Sequence, residues 1–213
     1  MNVIVDYDAG NLRSVQRACA EVGFEACITP DGDAVARADR IIFPGVGAAG
    51  SAMRTLRARK LDEALKHAFA SGTPILGICL GLQISLDHSE EDDQVTLGLI
   101  PGNVKRFRFD DPMRKIPHMG WNEVRVVKAH PVLEGVRPGD EFYFVHSYYP
   151  VPANVSDVYA LTEYEGEFCS AAGRDNYFAT QFHPEKSGRV GLELLSRFFA
   201  WNPSASSGKR RAE

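Results

Sequence analysis

In the first half of the chain, short apolar runs bounded by turn residues alternate with stretches whose apolar positions recur every three or four residues. That is the pattern of buried strands alternating with amphipathic helices. Asn2 to Asp6 predicts a strand, and Leu12, Val15, Cys19 and Val22 then recur at helical spacing up to a stop at Gly23. Ala26 to Thr29 and Arg40 to Phe43 predict two further strands, the second running into the turn Pro44-Gly45-Val46-Gly47. Leu61, Ala64, Leu65, Ala68 and Phe69 predict a second amphipathic helix that Gly72 closes. Ile75 to Ile78 lacks polar alternation, as expected of a strand in a parallel sheet covered on both faces.

The second half changes character. Val104 to Phe109, Val124 to Val127, Glu141 to Val145, Val158 to Thr162 and Phe178 to Phe182 predict strands separated by turns, with no helix between them. Consecutive strands joined by short connections pair antiparallel. A final helix, Val190 to Trp201, carries Leu194, Leu195, Phe198 and Phe199 toward a core. The expected fold is therefore α/β: a mostly parallel central sheet flanked by helices, with an additional antiparallel strand region in the second half. One folded domain is expected over residues 1–201, and a disordered polar tail, containing the cluster Lys209-Arg210-Arg211, over 202–213.

Composition narrows the function. With 213 residues, 44% hydrophobic and 24% charged, the chain has the make-up of a globular protein rather than a disordered or fibrous one. A formal net charge of −4 with both signs scattered gives no electrostatic footprint for nucleic acid. No apolar run approaches membrane-spanning length, and Val3-Ile4-Val5 stops at Asp6 without a basic leader, so it reads as a buried strand rather than a signal peptide. Cys19, Cys27, Cys79 and Cys169 show neither metal-ligand spacing nor the density of a disulfide scaffold. No metal and no cofactor is expected, and a reducing cytoplasm suits the free thiols.

Two distant segments carry the chemistry. Gly77-Ile78-Cys79-Leu80-Gly81 follows an apolar run, and a cysteine flanked by glycines suits a sharp strand-to-helix turn that exposes the thiol. Far downstream, Gln181-Phe182-His183-Pro184-Glu185 places His183 and Glu185 two residues apart, so that both can point to one face. A nucleophile, a base and an orienting carboxylate are the parts of a thiol hydrolase. A buried structural cysteine and an unrelated surface His-Pro-Glu would read the same singly, but much less so together. The amino end of the helix beginning near Gly81 is expected to favour the thiolate. Gly45-Val46-Gly47 offers backbone amides that, with the amide of Leu80, can serve as oxyanion donors, although a plain tight turn has the same letters. Gln83 falls one helical turn beyond Cys79. His67 and His88 read as surface positions and His130 as a turn residue, while His118 and His146 gain weight only from the segments that hold them.

The chain resembles the class I glutamine amidotransferases, whose triad of an elbow Cys and a His-Pro-Glu is matched by Cys79, His183 and Glu185. Within that class it is similar to the glutaminase subunits of imidazole glycerol phosphate synthase, on Pro44-Gly45-Val46-Gly47, Pro117-His118-Met119-Gly120-Trp121-Asn122 and Phe142-Tyr143-Phe144-Val145-His146-Ser147-Tyr148. The resemblance runs from the first strand to about Trp201, and departs at Ile84-Ser85-Leu86 and at the unusually acidic Glu90-Glu91-Asp92-Asp93. It implies hydrolysis of L-glutamine through a thioester on Cys79, with Gln83, Ser147 and Tyr148 at the substrate's amino-acid end. It also implies a heterodimer with a (β/α)8 barrel cyclase of histidine biosynthesis, with Asn11, Trp121, Tyr143 and Lys186 at or near the shared interface. Three rivals stay open: a glutaminase feeding pyridoxal phosphate synthesis, which would show Pro-Gly-Gly-Glu-Ser at the first loop, a self-sufficient γ-glutamyl hydrolase, and a non-catalytic docking module.

Overall fold

The computed structural model of the chain describes residues 1–109 and 115–203. Its first half runs β1 (Asn2–Val5), α1 (Leu12–Glu21), β2 (Cys27–Thr29), α2 (Gly32–Ala36), β3 (Arg40–Gly45), α3 (Ala49–Ala58), α4 (Leu61–Ala70), β4 (Ile75–Cys79) and the one-turn helix α5 (Leu80–Gln83). Strands then dominate: β5 (His88–Ser89), β6 (Gln94–Val95), β7 (Gly102–Arg106), β8 (His118–Glu123), β9 (Arg125–Val126), β10 (Glu141–His146), β11 (Tyr148–Pro152), β12 (Val158–Glu163), β13 (Glu167–Arg174) and β14 (Tyr177–Thr180). The helix α6 (Gly188–Ala200) closes the described fold.

The main sheet has the order β2-β1-β3-β4-β14-β13-β12-β9. Its first five strands pair parallel and its last three antiparallel, which is the expected mixed α/β architecture. Alternation along the parallel strands builds two cores. Val3, Val5, Ile41, Phe43 and Ile75 point to the side covered by α3 and α4, and Ile4, Ile42, Leu76 and Ile78 to the side covered by α1 and α6. Burial on both faces is why β4 is apolar throughout. Two smaller sheets, β10-β8 and β11-β7-β5-β6, stand beside the main one. The hairpin-like β8/β10 pair turns Met119 and Trp121 outward, 63% and 54% exposed, while His118, Phe142 and Phe144 are buried.

Several expectations shift in detail. The strand expected over Arg40 to Phe43 continues through Gly45, so that Gly45 lies in the sheet opposite Cys79 rather than in the turn. The strand expected over Val104 to Phe109 ends at Arg106, and Phe107 leaves it for an aromatic cluster with Phe109, Tyr149, Tyr164 and Phe168. α3 was not expected, although Ala49, Ala52, Met53 and Leu56 are buried at helical spacing. The acidic run beside it has a structural role: Glu91 and Asp92 accept from the amides of Ala49 and Gly50 at 2.8 and 3.1 Å, capping a helix with no side-chain cap of its own. Trp201 is buried against Phe198 and His130, while residues 204–213 of the expected tail lie outside the described residues.

Candidate active site

β4 ends at Cys79, whose backbone has φ 54° and ψ −106°. An L-residue there is strained, at a cost on the order of 1–3 kcal/mol, and such strain persists only where packing imposes it. The packing is visible on both sides of the turn. A Cβ on Gly81 would lie 1.9 Å from the carbonyl oxygen of Phe43, and one on Gly77 would lie 2.5 Å from the Tyr177 hydroxyl. The small neighbours expected from the sequence are thus required by close approach. The helix that follows, α5, has only four residues, so the helix dipole expected at the thiol is that of a single turn.

His183 and Glu185 follow β14 and reach the same end of the sheet. Glu185 Oε1 lies 2.7 Å from His183 Nδ1, and the Glu185 side chain is fully buried. A carboxylate can only accept, so Nδ1 carries a proton and Nε2 is left for the side of Cys79. Nε2 is buried and makes no hydrogen bond of normal geometry. Burial alone would hold His183 neutral, but the charges and hydrogen bonding of Cys79 and Glu185 outweigh it and push the imidazole up to about 10. Asn11 donates to the same Glu185 oxygen at 2.5 Å, so this residue, expected near an interface, is also tied to the carboxylate.

A cavity of about 300 Å³ opens beside Cys79 and is lined by Val46, Gly47, Leu80, Gln83, Ser147 and Tyr148 among others. Of the expected oxyanion and substrate positions, Gly45 alone is not in its lining, because it belongs to β3. Gln83 does reach the pocket, but its Nε2 is engaged with the Tyr148 carbonyl at 2.8 Å and with Gln181 Oε1 at 3.1 Å. Trp121 and Tyr143 face each other across β8 and β10 with ring centroids 6.2 Å apart, and Lys186 Nζ lies 5.7 Å from the Tyr143 ring. Three of the four expected interface residues therefore form one cluster, and Asn11 is bonded to Glu185, the residue before Lys186.

Sequence reasoning missed Gln181, Glu91 and the imidazoles of His118 and His146. Gln181 Nε2 lies 3.6 Å from Cys79 Sγ, and Glu91 brings a carboxylate to the cavity wall. The signal for Gln181 was its place two residues before His183; Glu91 stands in the acidic run Glu90-Glu91-Asp92-Asp93, which no motif ties to the site. Cys19 and Cys169 are excluded as reactive thiols, because burial pushes both up to about 12, with the Glu185 charge adding to the effect at Cys19. Among the described residues, no cluster of acidic, His or Cys side chains could hold a metal, and no helix is long and apolar enough to cross a membrane.

The buried histidines make stability pH-dependent in two directions. Burial holds His118 down to about 4, and burial with neighbouring charge holds His130 and His146 down to about 3. An unfolded histidine titrates near about 6.5, so below that pH the unfolded chain takes up protons that the folded chain refuses, and stability falls toward pH 4. His183 has the opposite sign: its contribution is complete below about 6.5 and is lost as pH rises through about 10. The melting temperature should decline on both sides of neutrality, with the acid limb starting above the carboxylate range. A melting temperature that is flat from neutrality down to about pH 5 would refute this.

The model of the family "Glutamine amidotransferase class-I" matches residues 3–201. The "Imidazole glycerol phosphate synthase subunit HisH" of Desulfovibrio desulfuricans is 47% identical over 220 residues, covering 100% of both chains. That of Dechloromonas aromatica is 48% identical, covering 94% of this chain and 96% of its own. Among solved structures, PurLQS from Thermotoga maritima superposes with a TM-score of 0.72 at 19% identity, covering 93% of this chain and 97% of that one, a likeness of fold alone. Matched over nearly its whole length by the family model and by relatives of one name, the chain belongs to the class I glutamine amidotransferase family of enzymes, within its HisH group.

Proposed function

We propose that the chain hydrolyses L-glutamine through a thioester on Cys79 and hands the ammonia to a cyclase subunit of imidazole glycerol phosphate synthase. The observation that carries this reading is the strained Cys79 at the mouth of a cavity, beside a buried His183–Glu185 pair. The thiol proton passes to His183 Nε2, which holds it as an imidazolium, and the sulfur adds to the side-chain amide carbon. The amide of Leu80, with one from the Val46–Gly47 loop, receives the oxyanion. Collapse breaks the C–N bond, the imidazolium proton leaves with ammonia, and a thioester remains. Water, deprotonated by the same imidazole, adds to it, and collapse releases glutamate while the proton returns to sulfur. Glu185 keeps the His183 tautomer throughout, and a base that holds its proton up to about 10 is suited to carry it as far as the leaving nitrogen.

Gln83, Ser147, Tyr148 and the Glu91 carboxylate hold the amino-acid end of the substrate in this reading, Glu91 opposite its ammonium. Ammonia is soon protonated in water, so its use requires an adjoining acceptor site. Trp121 and Met119, exposed on one face of β8, with Tyr143 and Lys186 behind Trp121, form the docking surface for a (β/α)8 barrel cyclase, giving a cytoplasmic heterodimer. The loop after β3 is the gate: Gly47, at φ 107°, has open space where a side chain would be, so the loop can exchange conformations when the partner binds.

The test is glutamate release from L-glutamine by the pure chain, alone and with the cyclase and its acceptor. The rate is expected to rise at least about tenfold in the complex, the scale of an ordinary coupling free energy. Equal rates with and without the partner would make the chain an autonomous amide hydrolase.

A further inference from the structure

The β8/β10 pair that turns Trp121 outward holds two histidines on its other side. His118 and His146 lie directly across from each other, both buried, with His118 Nδ1 and His146 Nε2 3.0 Å apart. The surrounding hydrogen bonds allow a neutral pair a single arrangement of protons. The Tyr148 carbonyl can only accept, so His146 Nδ1, 2.8 Å away, carries the proton. His146 Nε2 is then an acceptor, and His118 Nδ1 must donate to it. His118 Nε2, left as an acceptor, receives Asn122 Nδ2 at 3.2 Å. Asn122 is itself fixed, since its Nδ2 also donates to the Glu163 carbonyl and its Oδ1 accepts from the Glu123 amide. Phe144 and Tyr164 stack on His118 at 4.9 and 4.0 Å, so the ring has no room to turn. Burial keeps both imidazoles neutral well below neutral pH.

The chain of bonds continues beyond Tyr148. Its carbonyl also accepts from Gln83 Nε2 at 2.8 Å, Gln83 Nε2 reaches Gln181 Oε1 at 3.1 Å, and Gln181 Nε2 lies 3.6 Å from Cys79 Sγ. One line of oriented groups therefore runs from Asn122, next to Trp121, to the sulfur. We propose that His118 and His146 are positioning residues, a locked imidazole pair that fixes the Tyr148 carbonyl and, through Gln83 and Gln181, the wall that holds the substrate's side-chain amide beside Cys79. The proposal rests on Cys79 being the nucleophile. Neither imidazole transfers a proton in it, because each ring is already committed as donor on one nitrogen and acceptor on the other.

The experiment is labelling of Cys79, in the chain bound to its cyclase, by a chloroketone analogue of glutamine, followed by mass spectrometry across analogue concentration. His118→Leu is expected to lower the second-order rate about tenfold, mainly through weaker saturation, because a buried hydrogen bond is lost at the binding wall. His118→Asn, whose amide can replace the Nδ1 donor, should restore most of the rate. Labelling of Cys79 by iodoacetamide, which does not use that wall, should stay within about twofold in both variants, a split that mere unfolding would not produce. Equal analogue rates in the unaltered chain and in His118→Leu would overturn the proposal. An unaltered chain that the analogue fails to label at Cys79 would instead remove the nucleophile assignment on which it rests. Should His118→Leu not fold, the imidazole nitrogen spectrum of the unaltered chain decides: both rings are expected as neutral Nδ1–H tautomers near neutral pH, and an Nε2–H tautomer or an imidazolium in either one overturns the pair.

Discussion

Replacing Cys79 with Ala or Ser is expected to abolish glutamine-dependent synthesis in the complex with the cyclase, a loss of at least about a thousandfold, while synthesis from free ammonia stays within about twofold. Chemically, the thioester needs sulfur: a serine hydroxyl at the same place is far more weakly acidic, and the buried His183–Glu185 pair is arranged beside a thiol. Structurally, the side chain of Cys79 is buried at the edge of a core where it lines the cavity, and Ala or Ser, both small, would occupy the same φ of 54° at much the same backbone cost. The fold and the proposed docking surface at Trp121 and Tyr143 should therefore survive, and with them the partner's use of ammonia from solution. Loss of both activities would assign Cys79 a structural role. Cys169→Ala is the natural control, since that thiol is buried away from the cavity and pushed up to about 12.

The parts of the molecule legible in the sequence are those where local pattern and tertiary demand agree. The β1-α1 start, the helix α4 closing before Gly72, the fully apolar β4 and the final helix α6 all appear close to where periodicity places them. β13 was not legible, because Cys169, Ser170, Ala171, Ala172 and Gly173 have little strand preference of their own and are held in place by pairing with β12 and β14. α3 was obscured in the same way by its small residues, and the carboxylates that cap it, Glu91 and Asp92, lie some forty residues away in sequence. At the site, the residues of the two motifs could be named from the chain because each motif is contiguous. Asn11 on the Glu185 carboxylate and the His118–His146 pair depend on which elements lie side by side, and no spacing in one segment encodes that, while Gln181 had a signal in its place before His183 but none for its approach to sulfur.

Gly81→Ala is expected to cost the enzyme about a hundredfold or more in glutamine hydrolysis together with a clear fall in melting temperature. Intrinsic preference points the other way, since alanine within a helix is favoured over glycine by about 1 kcal/mol, and Gly81 lies in α5. The overlap decides the outcome. The new Cβ would stand 1.9 Å from the Phe43 carbonyl oxygen and 3.1 Å from its carbon, and both are main-chain atoms of β3 that no rotamer change can withdraw. Relief requires the elbow and β3 to part by about an ångström, and overpacking of this kind typically costs about 1–3 kcal/mol, more than the helix preference returns. The displacement falls on function as well as stability, because β3 leads directly into Val46 and Gly47 while the elbow carries Cys79 and the Leu80 amide. Both halves of the proposed oxyanion site are thus set by one contact, and a misplacement of about 1 Å there is worth about a hundredfold in rate. Melting curves and glutamate release from the same preparation check the two effects together: a variant that melts lower yet keeps full activity would mean that the contact at Phe43 holds the fold without setting the geometry of the nucleophile.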